Sequence, residues 1–277
     1  MQDAPSQTRC QSDALDPARA QALCVTLGQK QNVLAGDPLP PFFHHVYFWD
    51  AQTATHLGQD GHPKTGDLIP DLGLPRRMWA GGRLSFHRPL KTGIPAKKRS
   101  YCAAATRKEG RSGALGLVTL CHEIHQGDAL CVTEWQDLIY RAAADLTAAA
   151  PQPPQARCDE DSRVEVGFTT TQLFRYSALT FNGHRIHYDR PYARDVEGYA
   201  GLVVHGPLLA QQLMLMAEKN VGPLDAFSFR ATAPLLDFET AELCGSGNTF
   251  WVRGPDGRQC MIAEAEPQSE RRGNFKA

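Results

Sequence analysis

The sequence predicts an α+β protein made of two copies of one unit, each an antiparallel sheet wrapped on a helix. Three observations carry this. Glycine (24 residues) and proline (19) are frequent enough to mark many turns, yet too sparse for low complexity. The order helix, loop, β-meander occurs twice. A short echo joins the copies: Ser85-Phe86 with Pro89-Leu90 after it, and Ser228-Phe229 with Pro234-Leu235 after it.

In the first half, Asp16 as cap and Pro17 at the first helical position open a short helix that closes near Gly28. A loop rich in Pro and Gly runs from Pro38 to Pro75. After Arg99 three β-rich runs, SYCAAATRK, ALGLVTLCHEI and ALCVTEWQDLIYR, are separated by glycine-containing turns. His122, Glu123 and His125 fall in the second run without the i, i+4 spacing that places two metal ligands on one helix face. TAAAPQPPQARCDED, residues 147–161, is read as a linker between a first unit at 1–146 and a second at 162–277. The second half opens with a polar strand at Arg163–Phe168, a helical segment LFRYSALT and a long loop. Gly206-Pro207 then starts a helix that stops at Asn220–Pro223 and carries Leu209, Leu213 and Met216 on one face. AFSFRAT, ETAELCG, TFWVR and RQCMIAEAE, with a GPDG turn at 254–257, complete the second meander.

A chain of 277 residues fits one large domain or two ordinary ones. With 42% hydrophobic and 21% charged residues and a formal net charge of -1, disordered and supercharged classes are excluded, and nucleic acid is not an expected partner. The start, MQDAPSQTRC, lacks an apolar core for a signal peptide, and the longest apolar stretch, Leu202–Ala217, is too short and too interrupted to span a bilayer. No membrane partner and a cytoplasmic location are expected. The eight cysteines, at 10, 24, 102, 121, 131, 158, 244 and 260, are scattered and form no CxxC, as befits reduced thiols in a reducing compartment.

Chemistry concentrates in one window: Arg175, Tyr176, Asn182, His184, His187, Tyr188 and Asp189, then His205-Gly206-Pro207. A helix beginning at Gly206 offers unpaired N–H groups and the positive end of its dipole to an oxyanion. If His187 faces that start, a base and an oxyanion donor converge on a carbonyl compound.

TFNGHRIHYD followed by LVVHGPLLA resembles the signature of the MaoC-like hydratases and hydroxyacyl-thioester dehydratases, a hotdog-fold family with a G-D-x-N-P-I-H loop before an HG-containing helix start. Placed on that pattern, the histidine falls on His187, the isoleucine on Ile186, the central asparagine on His184 and the catalytic aspartate on Asn182. Trp49–Pro63, Pro75–Phe86 and Glu134–Arg141 extend the likeness to the double-hotdog subfamily of mesaconyl-C4-CoA and itaconyl-CoA hydratases and hydroxyacyl-thioester dehydratases of type 2, over residues 16–265. The resemblance implies hydration of an α,β-unsaturated acyl-CoA. Asn182 and His187 would hold the water, His187 would take its proton, the Gly206 N–H would hold the enolate oxygen, and Tyr176 or His184 would orient water or imidazole. His205 stands beside that helix start.

Asn182 departs from the pattern, because an amide cannot accept a proton as a carboxylate does. Three outcomes stay open: Asn182 only orients the water, His184 or Asp189 takes over the missing role, or activity is lost. The first half has no NxHxxH counterpart, so one active site is expected, in the second unit, with the first shaping the acyl pocket. There Arg76, Arg77, Trp79 and Arg83 cluster beside Gly81-Gly82, and with Arg175 and Arg230 they are the candidates for a substrate carboxylate or a CoA phosphate. The expected function is hydration of itaconyl-CoA or mesaconyl-C4-CoA to citramalyl-CoA, with no metal, no cofactor beyond the CoA of the substrate, and a homodimer. A fatty-acid 3-hydroxyacyl-thioester dehydratase, a non-catalytic acyl-CoA-binding protein and, in principle, a thioesterase are the alternatives; a metalloenzyme built on His184, His187 and Asp189 or His205 ranks below them.

Overall fold

The computed structural model describes residues 7–110, 113–143 and 152–269. Residues 147–151 of the expected linker lie outside them. One antiparallel sheet of ten strands organises the chain. In sequence order the elements are β1 (Thr8–Asp13), α1 (Pro17–Thr26), β2 (Arg76–Phe86), β3 (Ala96–Gly110), β4 (Gly113–Gln126), β5 (Ala129–Arg141) and β6 (Ser162–Gly167), followed by α2 (Thr170–Thr180), α3 (Arg190–Asp195), α4 (Gly206–Val221), β7 (Leu224–Ala231), β8 (Thr240–Ser246), β9 (Thr249–Arg253) and β10 (Gln259–Pro267). Across the sheet the order is β1-β3-β4-β5-β2-β7-β10-β9-β8-β6. Strands before residue 142 fill one half, those after 161 the other.

The two Ser-Phe strands of the sequence echo meet at the seam. β2 runs antiparallel to β7, with Gly81 opposite Arg230 and Leu84 opposite Phe227. Glycine is needed there: a Cβ on Gly81 would stand 2.4 Å from the Phe229 carbonyl oxygen. The close backbone approach that Gly81-Gly82 permits is thus strand to strand.

Local chemistry explains the helices. Asp16 caps α1 by accepting the Ala18 N–H at 2.9 Å, with Pro17 just inside. Thr169 caps α2 by accepting the Gln172 N–H at 3.2 Å. α4 packs against β7, β8, β9, β10 and β2. The expected face of Leu209, Leu213 and Met216 is buried, and so are Leu208, Ala210, Gln211, Met214 and Ala217. The sheet wraps the helix, so it is covered on more than one face. Each buried Leu or Met contributes about 1.5–3 kcal/mol of transfer free energy.

The first half fills the equivalent space differently. α1 is short and packs on α2 and on a 3-10 turn at Phe43–Val46. Phe42, Phe43 and Val46 are fully buried in the same core as Leu23 and Cys24 of α1. One strand escaped the sequence: β1, TRCQSD, pairs with β3 as an edge strand whose residues alternate exposed and half-buried. Edge pairing uses backbone groups alone, so a polar hexapeptide forms it without the apolar alternation that marks other strands.

Candidate active site

The loop after α2 brings the window residues together. Phe181 ends the helix in the left-handed region (φ 52). Asn182 Oδ1 then accepts the His184 N–H at 3.0 Å, which fixes the turn and leaves the amide NH₂ as the free end of that side chain. A 3-10 turn at Arg185–His187 leads into α3, capped by Asp189 through the Tyr192 N–H at 3.1 Å. Asp189 also pairs with Arg185 at 2.8 Å, and that guanidinium lowers its pKa. Its carboxylate is thereby committed to cap and ion pair.

His187 donates from Nδ1 to the Val203 carbonyl at 2.7 Å, so Nε2 keeps a free lone pair. Its ring stacks on His205, centroids 3.7 Å apart, and meets His184 edge to face at 5.3 Å. Burial lowers the His187 pKa to about 4. His205, fully buried, shares a hydrogen bond between Nε2 and Ser177 Oγ at 2.8 Å. Its Nδ1 and the Tyr176 hydroxyl have no hydrogen-bond partner among the described residues. His184 is pushed far below the ordinary imidazole range, first by burial and then by His62 and His187. Imidazoles packed this closely out of water stay neutral, because each charge would repel the next.

The first half reaches into this site through one loop. His62 lies 4.3 Å from the His184 ring and donates from Nδ1 to Asp60 at 3.0 Å. The Arg185 N–H donates to the Asp60 carbonyl at 2.9 Å. Gly61, at φ +90, touches the Gly183 carbonyl so closely that a Cβ would fall 2.0 Å from its oxygen. Two glycines are what let the loops meet.

A cavity of about 570 Å³ opens beside these loops. Its wall carries Asn182, Ser177, His62, Arg77, Trp79, Lys98 and the trio His44, His45 and Glu134. His184, His187, His205 and Gly206 stand behind that wall, each histidine touching a wall residue or its neighbour. His62 and Arg77 also line a second cavity of about 450 Å³. The Gly206 N–H makes no backbone hydrogen bond among the described residues, as expected at a helix start.

The candidate arginines separate. Arg76 pairs with Glu197 at 2.7 Å, and Arg83 lies exposed beside Asp137 at 3.4 Å. Arg175 and Arg230 are exposed and do not line the cavity. Arg77 is half-buried, faces both cavities, and has no hydrogen bond or ion pair among the described residues. Trp79, its neighbour two positions on, stacks on His45 at 5.3 Å.

Sequence reasoning passed over His44, His45, His62 and Glu134. The signal was faint: a histidine doublet in a proline-rich loop, and single residues inside LGQDGHP and EWQDLIYR. Among the described residues two groups, His44 with His45 and Glu134, and Asp60 with His62 and His184, bring donor atoms close enough to share a cation. In the first, both imidazoles already donate to the carboxylate, at 2.9 and 3.0 Å. The expected trio of His184, His187 and Asp189 is not among these groups.

The fold and the site together define a class, the MaoC-like double hotdog with a histidine-bearing cavity between its halves. Among solved structures, HtdX of Mycobacterium tuberculosis superposes with a TM-score of 0.66 at 18% identity, covering 95% of this chain and 100% of that one. A second M. tuberculosis protein, described as a double hotdog, gives 0.60 at 14% identity, covering 95% and 96%. The family model of hydroxyacyl-thioester dehydratase type 2 matches residues 42–237, and the chain belongs to that family. It is an enzyme of the hydro-lyase kind, a hydratase or dehydratase of acyl thioesters. The mesaconyl-C(4)-CoA hydratase of Chloroflexus aurantiacus is 42% identical over 256 residues, 90% of this chain and 91% of that protein. The mitochondrial hydroxyacyl-thioester dehydratase type 2 of Schizosaccharomyces pombe is 27% identical over 259 residues, 83% of each. No helix among the described residues is long and apolar enough to cross a membrane.

Proposed function

We propose that the protein adds water reversibly to the double bond of a C5-dicarboxylyl-CoA, mesaconyl-C4-CoA or itaconyl-CoA, giving citramalyl-CoA. The observation that carries this is Arg77, a half-buried guanidinium on the cavity wall with no protein partner among the described residues. A substrate carboxylate satisfies it, whereas a plain acyl chain leaves a desolvated cation unpaired. The 42% identity to a mesaconyl-C(4)-CoA hydratase points the same way.

On the conjugated double bond of mesaconyl-C4-CoA, His187 Nε2 takes a proton from water as the oxygen attacks the β-carbon, and the Asn182 amide holds that water from the wall. The Gly206 N–H at the start of α4 receives the charge that develops on the thioester oxygen. The reaction needs no cofactor beyond the CoA of the substrate. A cytoplasmic homodimer formed edge to edge is part of the same proposal, and light scattering tests its mass.

The test, with purified protein, is loss of enoyl absorbance for mesaconyl-C4-CoA and chromatographic appearance of citramalyl-CoA for itaconyl-CoA, whose double bond is not conjugated with the thioester. Turnover of either dicarboxylyl thioester supports the assignment. Turnover of straight-chain 3-hydroxyacyl thioesters alone moves it to fatty-acyl dehydration, the reading favoured by the name of the S. pombe relative. Binding without any product makes it a thioester-binding protein.

A further inference from the structure

We propose that His44, His45 and Glu134 form a second acid–base centre of this enzyme, in the first half of the chain, with His45 exchanging a proton with the substrate. The inference rests on the hydratase reading above and concerns which residues move its second proton.

The geometry is that of a carboxylate holding two imidazoles in place. His44 Nε2 donates to Glu134 Oε2 at 2.9 Å and His45 Nε2 to Oε1 at 3.0 Å. Both Nδ1 atoms lack a hydrogen-bond partner among the described residues. The Glu134 and His44 side chains are each 5% exposed, and His45 is 14% exposed, so His45 is the member open to the cavity. All three line the same wall as Asn182. Trp79 stacks on the His45 ring and Phe42 packs against the same ring, centroids 3.9 Å apart, which fixes the ring's orientation.

The surroundings show that this trio is built for more than packing. A buried carboxylate with two histidines is no more stabilising than apolar residues of the same volume. Phe42, fully buried, launches the histidine turn from the left-handed region (φ 70), and the exposed Phe181 holds the same region (φ 52) before Asn182. Strain of that kind persists where the surroundings enforce it, and it collects at functional sites. Other charged or titratable groups face the trio: Lys98 from β3, His122 from β4 and Tyr176 from α2. Burial lowers His122, and it shares a hydrogen bond with Ser100 at 2.7 Å, so it stays neutral there.

Hydration moves two protons. On mesaconyl-C4-CoA, whose double bond is conjugated with the thioester, the water O–H bond breaks as the C–O bond forms, the π-electrons of the C=C bond move into the thioester as an enolate, and the α-carbon then gains a proton. Asn182 can carry neither proton, and one buried imidazole would have to carry both. With two centres, His187 keeps the proton of water, and the His45 imidazolium gives its Nδ1 proton to the α-carbon, its charge until then balanced by Glu134. Solvent exchange resets both rings. His44 and Glu134 act as positioning residues.

The experiment is a kcat and KM profile against pH for wild type, His45→Gln, His44→Gln and Glu134→Gln on mesaconyl-C4-CoA, with thermal melts of each. For His45→Gln we expect kcat to fall about a hundredfold or more with KM within threefold, and the alkaline limb of the profile to vanish. Glu134→Gln shifts that limb to lower pH, because the imidazolium loses its counter-charge. If Glu134→Gln fails to fold, His45→Gln decides, since it leaves the His44–Glu134 pair intact. An active wild type with His45→Gln within threefold in kcat, or with the limb unmoved, overturns the second centre alone. A wild type inactive on every thioester overturns the hydratase reading and this inference with it.

Discussion

The His187 and His205 rings lie face to face, 3.7 Å between centroids and 20° from parallel, with His187 Nδ1 tied to the Val203 carbonyl. Ring position and tautomer are therefore both set before substrate arrives. Replacing His187 by alanine removes the free Nε2 and leaves Asn182 without a base behind it. We expect kcat to fall about 10²- to 10⁴-fold. The vacated space beside His205 costs about 1–3 kcal/mol, to be read from a denaturant melt. A variant that keeps kcat within threefold would remove His187 from the mechanism.

The contact between Gly61 and Gly183 is the hinge on which both halves contribute to one site. Gly61→Ala places a methyl 2.0 Å from the Gly183 oxygen at φ +90, so clash and conformational cost add. Gly183→Ala meets the Gly61 oxygen at 2.7 Å without the conformational cost. We expect Gly61→Ala to lose about 2–4 kcal/mol and Gly183→Ala less, with His62 displaced from His184 in both. Histidine ring shifts in NMR spectra report the displacement; unchanged shifts in a folded Gly61→Ala variant would show that the loops do not depend on one another.

Helices α1 and α4 were legible because caps and glycines act within a few residues, and the meanders because glycine turns interrupt β-rich runs. β1 was not legible, because its pairing with β3 is a backbone matter between distant segments. The same division runs through the site. His187 and Asn182 stand in one short motif. Glu134 meets His44 and His45 only because β5 passes beside the Phe43–Val46 turn, 90 and 89 residues away in the chain. Local spacing cannot encode that meeting. The arginine cluster shows the converse: four neighbours in sequence, Arg76, Arg77, Trp79 and Arg83, point to different partners, because alternate residues of a strand face opposite sides and a bulge lies between Trp79 and Gly81.

Arg77 distinguishes a dicarboxylyl substrate from a plain acyl chain. Charge-assisted hydrogen bonds contribute about 1.5–3 kcal/mol, or about 10- to 150-fold in affinity. Arg77→Met should raise KM for mesaconyl-C4-CoA or itaconyl-CoA by that factor while leaving a straight-chain enoyl-CoA within threefold. An equal rise for both substrates would assign Arg77 to the CoA moiety, which they share.

Stability should begin to fall in mild acid, above the range where ordinary carboxylates titrate. Burial lowers His122 and His187 from 6.5 to about 4, and it lowers His44, His62, His184 and His205 as well. Below pH 6.5 the unfolded chain binds protons that the folded chain refuses, so the unfolded state gains as pH drops. The stabilisation is complete above pH 6.5 and is lost progressively down to about 4. For His122 and His187 the shift amounts to about 3 kcal/mol each, at about 1.4 kcal/mol per pKa unit. Glu218, which burial raises to about 7, acts in the opposite sense over the same range, and the six histidines lowered by burial outnumber it. Melting temperatures should therefore decline below pH 6.5. His122→Gln, which removes one titrating ring, should flatten the decline. A melting temperature unchanged between pH 7 and 5 would mean that these rings are reached by water in the folded state.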